Sequence, residues 1–352
     1  MYGLIVEFIN CHTFLGVGRT GMLLHGVVIV GKIFLWKIKG FVMAGKIRKK
    51  IASIICVLVP FRNMRSNVRK FIEQPNVLER IGRARQAREM WRRERVLAAG
   101  GGRFANKLSV LSIVKNEGLY LREWIEYHRI VGVEKFYIYD NESDDDTRKI
   151  LEPYIKSGVV EYIFWPGQAQ QLLAYADWFA KHRNDTRWLA VIDLDEFIVP
   201  MKMGTIVEYL DSLPLSVAQV IISWFMFGSN GHNEKPDGLV VENYTRRANR
   251  PHYHYKSIVN PRLVRSLHVH RHDAVKRTVH LNVRDMRINH YFCKSWAEYS
   301  KRAARGCVFR GQAAGITRYD RARFDERDRN DVEDKNILRF LPELKKRLVK
   351  SQ

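Results

Sequence analysis

The chain has 352 residues, 46% of them hydrophobic, which is ample for one large domain or for a domain with extensions. Its four cysteines, Cys11, Cys56, Cys293 and Cys307, show no paired metal spacing, which argues against a disulfide framework and a cysteine zinc site and fits a reduced, cytoplasmic setting. The formal charge of +23 is uneven: residues 43–98 hold fifteen Lys or Arg against four Glu, a net +11.

Residues 1–42 read as an apolar segment. The run 21–36 is apolar apart from His25 and Lys32, short of the roughly twenty residues a spanning helix needs. It reads as a marginal anchor, or as an over-extended start, because Met43-Ala44-Gly45-Lys46 followed by basic residues resembles an ordinary bacterial N-terminus. Residues 43–104 read as a basic amphipathic helical extension. An apolar run at 51–61 is joined to Arg62, Arg65, Arg69, Lys70 and, further on, Arg83, Arg85, Arg88, Arg92 and Arg93. That mixture suits an anionic membrane surface, and a peripheral place on the inner face of a bacterial plasma membrane follows from it. A solvated helix and a nucleic-acid-binding arm are the alternatives, but the segment has no zinc-finger, RNA-recognition or helix-turn-helix signature.

From residue 105 the pattern changes. The apolar strand at 108–114 is followed by Lys115-Asn116-Glu117 and a helical pattern over 119–131. A second strand, 135–139, runs into Asp140-Asn141-Glu142-Ser143-Asp144-Asp145-Asp146, and then come a helix, a stop at Ser157-Gly158 and a strand at 159–164. Gln168, Gln170 and Gln171 open another helix. It leads to the most informative stretch of the chain, Trp188-Leu189-Ala190-Val191-Ile192-Asp193-Leu194-Asp195-Glu196-Phe197. Strands alternating with helices predict a parallel sheet with right-handed crossovers, and ligands bind such sheets at the carboxyl ends of the strands. The polar clusters 115–117, 140–146 and 193–196 all fall at such ends. Two carboxylates one residue apart at the mouth of a strand can share a hard divalent cation, and without a positive partner three neighbouring acids repel. An isolated Asp-x-Asp is also compatible with a solvated turn, and Ser143 or Asp144 with a helix cap.

These residues carry a family resemblance. Ser-Ile-Val-Lys-Asn-Glu (112–117), Glu-Trp-Ile-Glu-Tyr-His (123–128), Tyr-Ile-Tyr-Asp-Asn-Glu-Ser-Asp-Asp (137–145), Ile-Asp-Leu-Asp-Glu-Phe (192–197), Trp-Phe-Met-Phe-Gly-Ser-Asn-Gly-His (224–232) and Ile-Asn-His-Tyr-Phe-Cys-Lys-Ser-Trp-Ala-Glu-Tyr (288–299) resemble nucleotide-sugar glycosyltransferases of GT-A fold, in the family 92-like and family 2-like group. The likeness spans about 107–306 and implies a Rossmann-like, mixed, mostly parallel sheet flanked by helices over 105–312. It implies a metal-dependent, inverting transfer of sugar from a nucleotide-sugar donor, UDP-sugar favoured, to a glycan or lipid-linked acceptor in surface polysaccharide or lipopolysaccharide synthesis. No nucleic acid is expected as partner. A catalytically inactive scaffold of the same fold is a further alternative, against which the intact acids speak.

The resemblance also distributes roles. Mn²⁺ or Mg²⁺ would act as Lewis acid on the departing diphosphate. Asp195 is expected to ligate the metal directly, Asp193 to reach it through water or to contact the ribose, and His290 to be the third ligand, with Glu196 behind them. Lys294 is expected at the diphosphate, with Arg302 and Arg305 as alternatives. Lys115, Asn116 and Glu117 would line one side of the nucleotide, and Asp140, Asn141 and Asp144 the other. For the general base Asp237 is chosen over Glu242 and Asp273. Alternation places His268, His270 and His272 on one strand face, contacting donor or acceptor. Residues 313–352 read as a linker, mixed in charge over 321–334, and a C-terminal amphipathic helix that Pro342 kinks or splits.

Overall fold

The computed structural model describes residues 85–86, 88–89, 104–214, 216–305 and 320–350. The chain divides into two compact units between Arg88 and Glu89, and the fold below belongs to the second. The apolar segment expected at 1–42 and nearly all of the basic extension lie outside the described residues. Among the described residues no helix is long and apolar enough to cross a membrane.

Four parallel strands form one half of the sheet: β1 (Asn106–Val114), β2 (Lys135–Asp140), β3 (Val160–Phe164) and β4 (Thr186–Val191), in the order β3-β2-β1-β4. Their residues alternate between two cores. Leu108, Val110, Phe136, Ile138, Trp188 and Ala190 enter the larger one, while Leu111, Ile113, Tyr137, Tyr139, Leu189 and Val191 enter the other. Strands buried on both faces read as continuous apolar runs, which is why the sequence shows them so plainly. Helix α1 (Gly118–Ile130) packs Leu121, Trp124, Ile125 and Tyr127 into the first core; α3 (Gln171–His182) packs Ala174, Tyr175 and Trp178 into the second. Helix α2 (Thr147–Lys156) connects β2 to β3, with Leu151 and Tyr154 in the larger core. Each such fully buried apolar side chain stabilises the fold by roughly 1.5–3 kcal/mol. Helix α1 ends where Gly132 takes φ +106°, a left-handed conformation that costs glycine least.

The remaining strands run both ways. Strand β5 (Glu196–Pro200) follows β4, then helix α4 (Ile206–Asp211), β6 (Val217–Met226), the short α5 (Val240–Asn243), β7 (Arg246–Arg247), β8 (Tyr255–Val259), β9 (Arg277–His280) and β10 (Met286–His290). The sheet continues β4-β8-β6-β10-β5, with β9 pairing on β6; β8 opposes both β4 and β6, and β5 opposes β10. Three strands thus separate β4 from β5, although only residues 192–195 join them, so the sheet curls strongly to bring its far edge back to the end of β4. This mixed, mostly parallel sheet flanked by helices is the architecture expected from the sequence.

The C-terminal region corrects one expectation. Residues 321–334, read as a linker, are folded onto the domain: α7 (Arg321–Arg327) buries Phe324, and β11 (Val332–Glu333) pairs with β7. Asp334 is buried and ion-paired with Arg287 at 2.6 Å and with Arg247. A Cβ on Gly228 would stand 2.6 Å from the Arg329 carbonyl oxygen, so this segment lies close against the loop after β6. Pro342 acts as expected: a 3₁₀ turn, Asn336–Phe340, gives way to helix α8 (Leu341–Lys350) with the proline in its first turn, where a missing amide proton costs nothing.

Candidate active site

The polar loops after β1 and β2 fasten each other. Asn116, at φ +52°, donates its backbone N–H to Ser143 Oγ at 2.9 Å, and its Oδ1 accepts the Asp144 N–H at 2.9 Å. Asp140 accepts the Ser143 N–H at 3.0 Å and the Tyr162 hydroxyl at 2.7 Å, while Asn141 Nδ2 donates to the carbonyls of Trp165 and Gly167. Asp140 and Asn141, expected to face the nucleotide, are both buried and engaged in shaping the loop. Lys115 and Glu117 are half-buried beside them, and the Glu117 carbonyl accepts the Tyr120 N–H in the first turn of α1.

The acid motif sits where the chain reverses from β4 to β5. The two aspartates have different partners. Asp195 is buried, with His290 Nε2 at 3.3 Å from its Oδ1 and an Arg302 guanidinium nitrogen at 2.9 Å from its Oδ2. The ladder explains the first contact: His290 stands opposite Glu196 in the β5–β10 pairing, and the Tyr291 N–H donates to the Asp195 carbonyl. Burial alone would raise the Asp195 pKa, but the charges of His290 and Arg302 hold it well below the usual carboxylate range. Asp193 instead accepts from Lys256 Nζ at 2.8 Å. Glu196 is wholly buried; its Oε2 accepts the Asp193 N–H at 3.1 Å and lies 3.6 Å from Lys256 Nζ. Burial pushes the Glu196 carboxyl well above the usual range, with Asp193 and Asp195 adding to the push against the pull of Lys256. Lys256 is raised: burial opposes its charge, and Asp193 and Glu196 outweigh that cost.

A cleft of about 450 Å³ opens beside this motif, lined by Asn116, Tyr120 and Asp144 from the β1 and β2 loops and helix α1, and by Lys294, Glu298 and Arg302 from the other side. Lys294 is buried, at φ +50°, with its ammonium 4.0 Å above the Tyr120 ring, just before α6 (Trp296–Arg305). Burial first, and Arg302 second, lower its pKa to about 8. Tyr120 also donates its hydroxyl to Glu298, which accepts from Tyr244 at 2.6 Å and from Ser295 at 2.7 Å. One wall of the cleft is thus a tied network, and it offers cations toward an anionic ligand.

The structure brings together Asp195, His290, Lys294 and Arg302, and puts Asn116 and Asp144 on the facing rim. Asp237 is exposed and outside this lining, whereas Glu234, three residues earlier, belongs to it. The histidine stretch is corrected: residues 265–273 form no strand, and His272 is buried, with Nδ1 accepting the His268 N–H. His270 instead joins His252, His254 and His290 around the Trp224 ring, at centroid distances of 4.5–5.9 Å. The sequence reading overlooked Lys256. Its signal was a lone lysine in the strand Tyr255-Lys256-Ser257-Ile258-Val259, because a buried lysine needs an acid partner.

A carboxylate oxygen and an imidazole nitrogen 3.3 Å apart can both bind one ion at about 2.0–2.2 Å, so Asp195 and His290 fit a divalent metal; the carboxylate suits Mn²⁺ or Mg²⁺, and the imidazole, a softer donor, favours Mn²⁺ of the two. Among the described residues no set of three or more His, Cys, Asp or Glu converges on a metal position.

The strand-end acid pair thus lies beside a cleft whose lining carries Lys235, Lys294, Lys301 and Arg302 together with Asp144, Glu234 and Glu298. The profile of glycosyltransferase family 92 matches residues 109–337, more than half of the chain, and the chain belongs to that family. A family 92 protein of Oryza sativa subsp. japonica is 30% identical over 64% of this chain and 37% of its own length. One of Ricinus communis is 29% identical over 57% of this chain and 38% of its own length, so the chain spans well under half the length of these curated relatives. Among solved structures, S. aureus TarS 1–349 overlaps 45% of this chain and 48% of that one at 14% identity, with a TM-score of 0.31.

Proposed function

We propose that this chain transfers a sugar from a nucleotide-sugar donor, UDP-sugar favoured, to a glycan or lipid-linked acceptor. The observation that carries the reading is the Asp195–His290 pair, buried next to a cleft whose wall supplies Lys294 and Arg302. Asp195 and His290 would hold Mn²⁺ or Mg²⁺, which, when bound, supplies Lewis-acid help to the leaving diphosphate. Lys294 and Arg302 place fixed positive charge where the diphosphate gains negative charge, and they do so in a buried setting where such charge counts most. Asn116 and Asp144 contact the nucleotide. Asp140 and Asn141 serve by holding that loop in shape. Inversion at the sugar carbon requires a base near the acceptor hydroxyl. Glu234 replaces Asp237 in that role, because it lines the cleft.

The plant relatives lend no support to a lipopolysaccharide acceptor or to a bacterial inner membrane. The acceptor reading rests on the resemblance alone, and the membrane reading on the basic, partly apolar composition of residues 43–98. Within the proposal, that segment holds the enzyme at an anionic surface where a lipid-linked acceptor resides.

The test is a panel of UDP-sugars assayed for hydrolysis and transfer with Mn²⁺ and with excess EDTA. Activity is expected only with metal, and Asp195→Asn should lower it by about 10²–10³-fold, the loss typical of a charge group acting on the transition state. Undiminished activity in EDTA, or in Asp195→Asn, would overturn the metal-dependent reading.

A further inference from the structure

The two aspartates of the acid motif are not equivalent, and a third residue makes them so. Lys256 is 1% exposed at the start of β8. The β4–β8 pairing sets Ser257 opposite Val191, which leaves Lys256 level with the turn that follows β4. Its Nζ donates to Asp193 Oδ2 at 2.8 Å and stands 3.6 Å from Glu196 Oε2. Glu196 in turn accepts the Asp193 N–H. Asp193 is therefore tied by side chain to Lys256 and by backbone to Glu196, whereas Asp195 faces His290 and Arg302.

We propose that Lys256 is a positioning residue that withholds Asp193 from the metal, so that this chain holds its ion through Asp195 and His290 alone. The inference rests on the metal-dependent transfer proposed above and goes beyond it. It assigns Lys256 a role and implies an order of binding. Affinity for a hard divalent cation follows the number of anionic ligands and the rigidity of the site. A site with one carboxylate, one imidazole and an adjacent guanidinium binds such an ion weakly by itself. A nucleoside diphosphate brings the missing anionic oxygens, so ion and donor bind together, and the free ion does not stay behind after the diphosphate leaves. Were Asp193 released, the site would gain a second carboxylate and lose a positive charge, and it would retain the ion without nucleotide.

The experiment is Mn²⁺ titration of the full chain followed by electron paramagnetic resonance, with and without UDP as the probe ligand. The native chain should bind Mn²⁺ at least about tenfold more tightly with UDP than without it. Asp193→Asn should change the UDP-free Mn²⁺ affinity by less than about threefold, whereas Lys256→Met should tighten it by about tenfold or more. Adding Asp193→Asn to Lys256→Met should abolish that gain, and Lys256→Arg should behave as native. Because Lys256→Met strands the buried Glu196, the pair Lys256→Met with Glu196→Gln provides the same reading if the single variant fails to fold. The proposal is overturned if Asp193→Asn in the otherwise native chain removes Mn²⁺ binding as Asp195→Asn does, or if UDP-free affinity is unmoved in Lys256→Met, or in its pair with Glu196→Gln where the single variant fails to fold. Absence of Mn²⁺ binding by the native chain even with UDP would overturn the metal reading itself, and this inference with it.

Discussion

The two halves of the sheet contribute opposite charges to the site. The parallel half, β1 to β4, ends in acids and amides: Asn116, Asp140, Asp144, Asp193 and Asp195 all follow its strands. The antiparallel and returning half supplies the cations Lys256 on β8 and Lys294 and Arg302 on the approach to α6 and within it, and the imidazole of His290 at the end of β10. Neither half is balanced alone. The first would leave crowded carboxylates raising one another's pKa, and the second would leave buried positive charge. The site is therefore a product of closing the sheet, and its chemistry depends on contacts between parts far apart in sequence.

That comparison breaks most severely at the base of the second half. Asp334 holds Arg287 of β10 and Arg247 of β7, and all three are largely buried. Asp334→Asn should destabilise the domain by about 3–5 kcal/mol, the usual cost of leaving a buried charge without its partner, read as a lower midpoint in urea. The two arginines hold the Asp334 carboxyl well below its ordinary value, overcoming the effect of burial. Such a group adds stability above the unfolded carboxylate pKa and loses it as pH falls toward the depressed folded value, so the gap between native and Asp334→Asn should shrink in acid. An unchanged midpoint at neutral pH would show that 321–334 is dispensable after all.

A smaller loss is expected at the cleft. Lys294→Ala should lower kcat by about a hundredfold, or about 2.7 kcal/mol, with the thermal midpoint little changed. A rise in KM alone would make the lysine a binding group with no share in departure of the diphosphate. The smallest effect sharpens the comparison through pH. With its pKa lowered to about 8, the Lys294 ammonium is charged below that value and loses its proton above it. UDP binding to the metal-free chain should therefore weaken as pH rises from 7 to 9, by a few-fold to about tenfold. Lys294→Arg should flatten the profile, since a guanidinium keeps its charge there.

The same division governs what the sequence could reveal. In the parallel half the inner strands β1, β2 and β4 are largely apolar on both faces and each helix lies between two strands, so local pattern and topology agree. Even the register of Asp193 and Asp195 with the strand end could be read. In the other half the decisive contacts are long-range. Lys256 looks like a stray charge in a strand until Asp193 and Glu196 are placed beside it. The alternation of His268, His270 and His272 imitates a strand, but Asp273 N–H donates to the Ser266 carbonyl and the backbone turns instead. The run 321–334 looks like a linker because its charges could all be met locally or by water, as Arg321 with Asp325 and Arg329 with Asp331 are; Asp334 instead finds its partners on β7 and β10. Asp237 was a plausible base by type, and only the fold shows Glu234 at the cleft.

The short link of residues 192–195 between two strands that have three others between them in the sheet also bears on how the protein is made. Strand β5 leaves the ribosome directly after β4, but β10, its one ladder partner among the described residues, emerges much later. Until then β5 has an unpaired edge and Asp195 lacks His290 and Arg302, a condition that favours slow closure. The Asp195–His290 pair can form only once that ladder has zipped, so this contact is completed late in folding and its formation reports closure of the sheet.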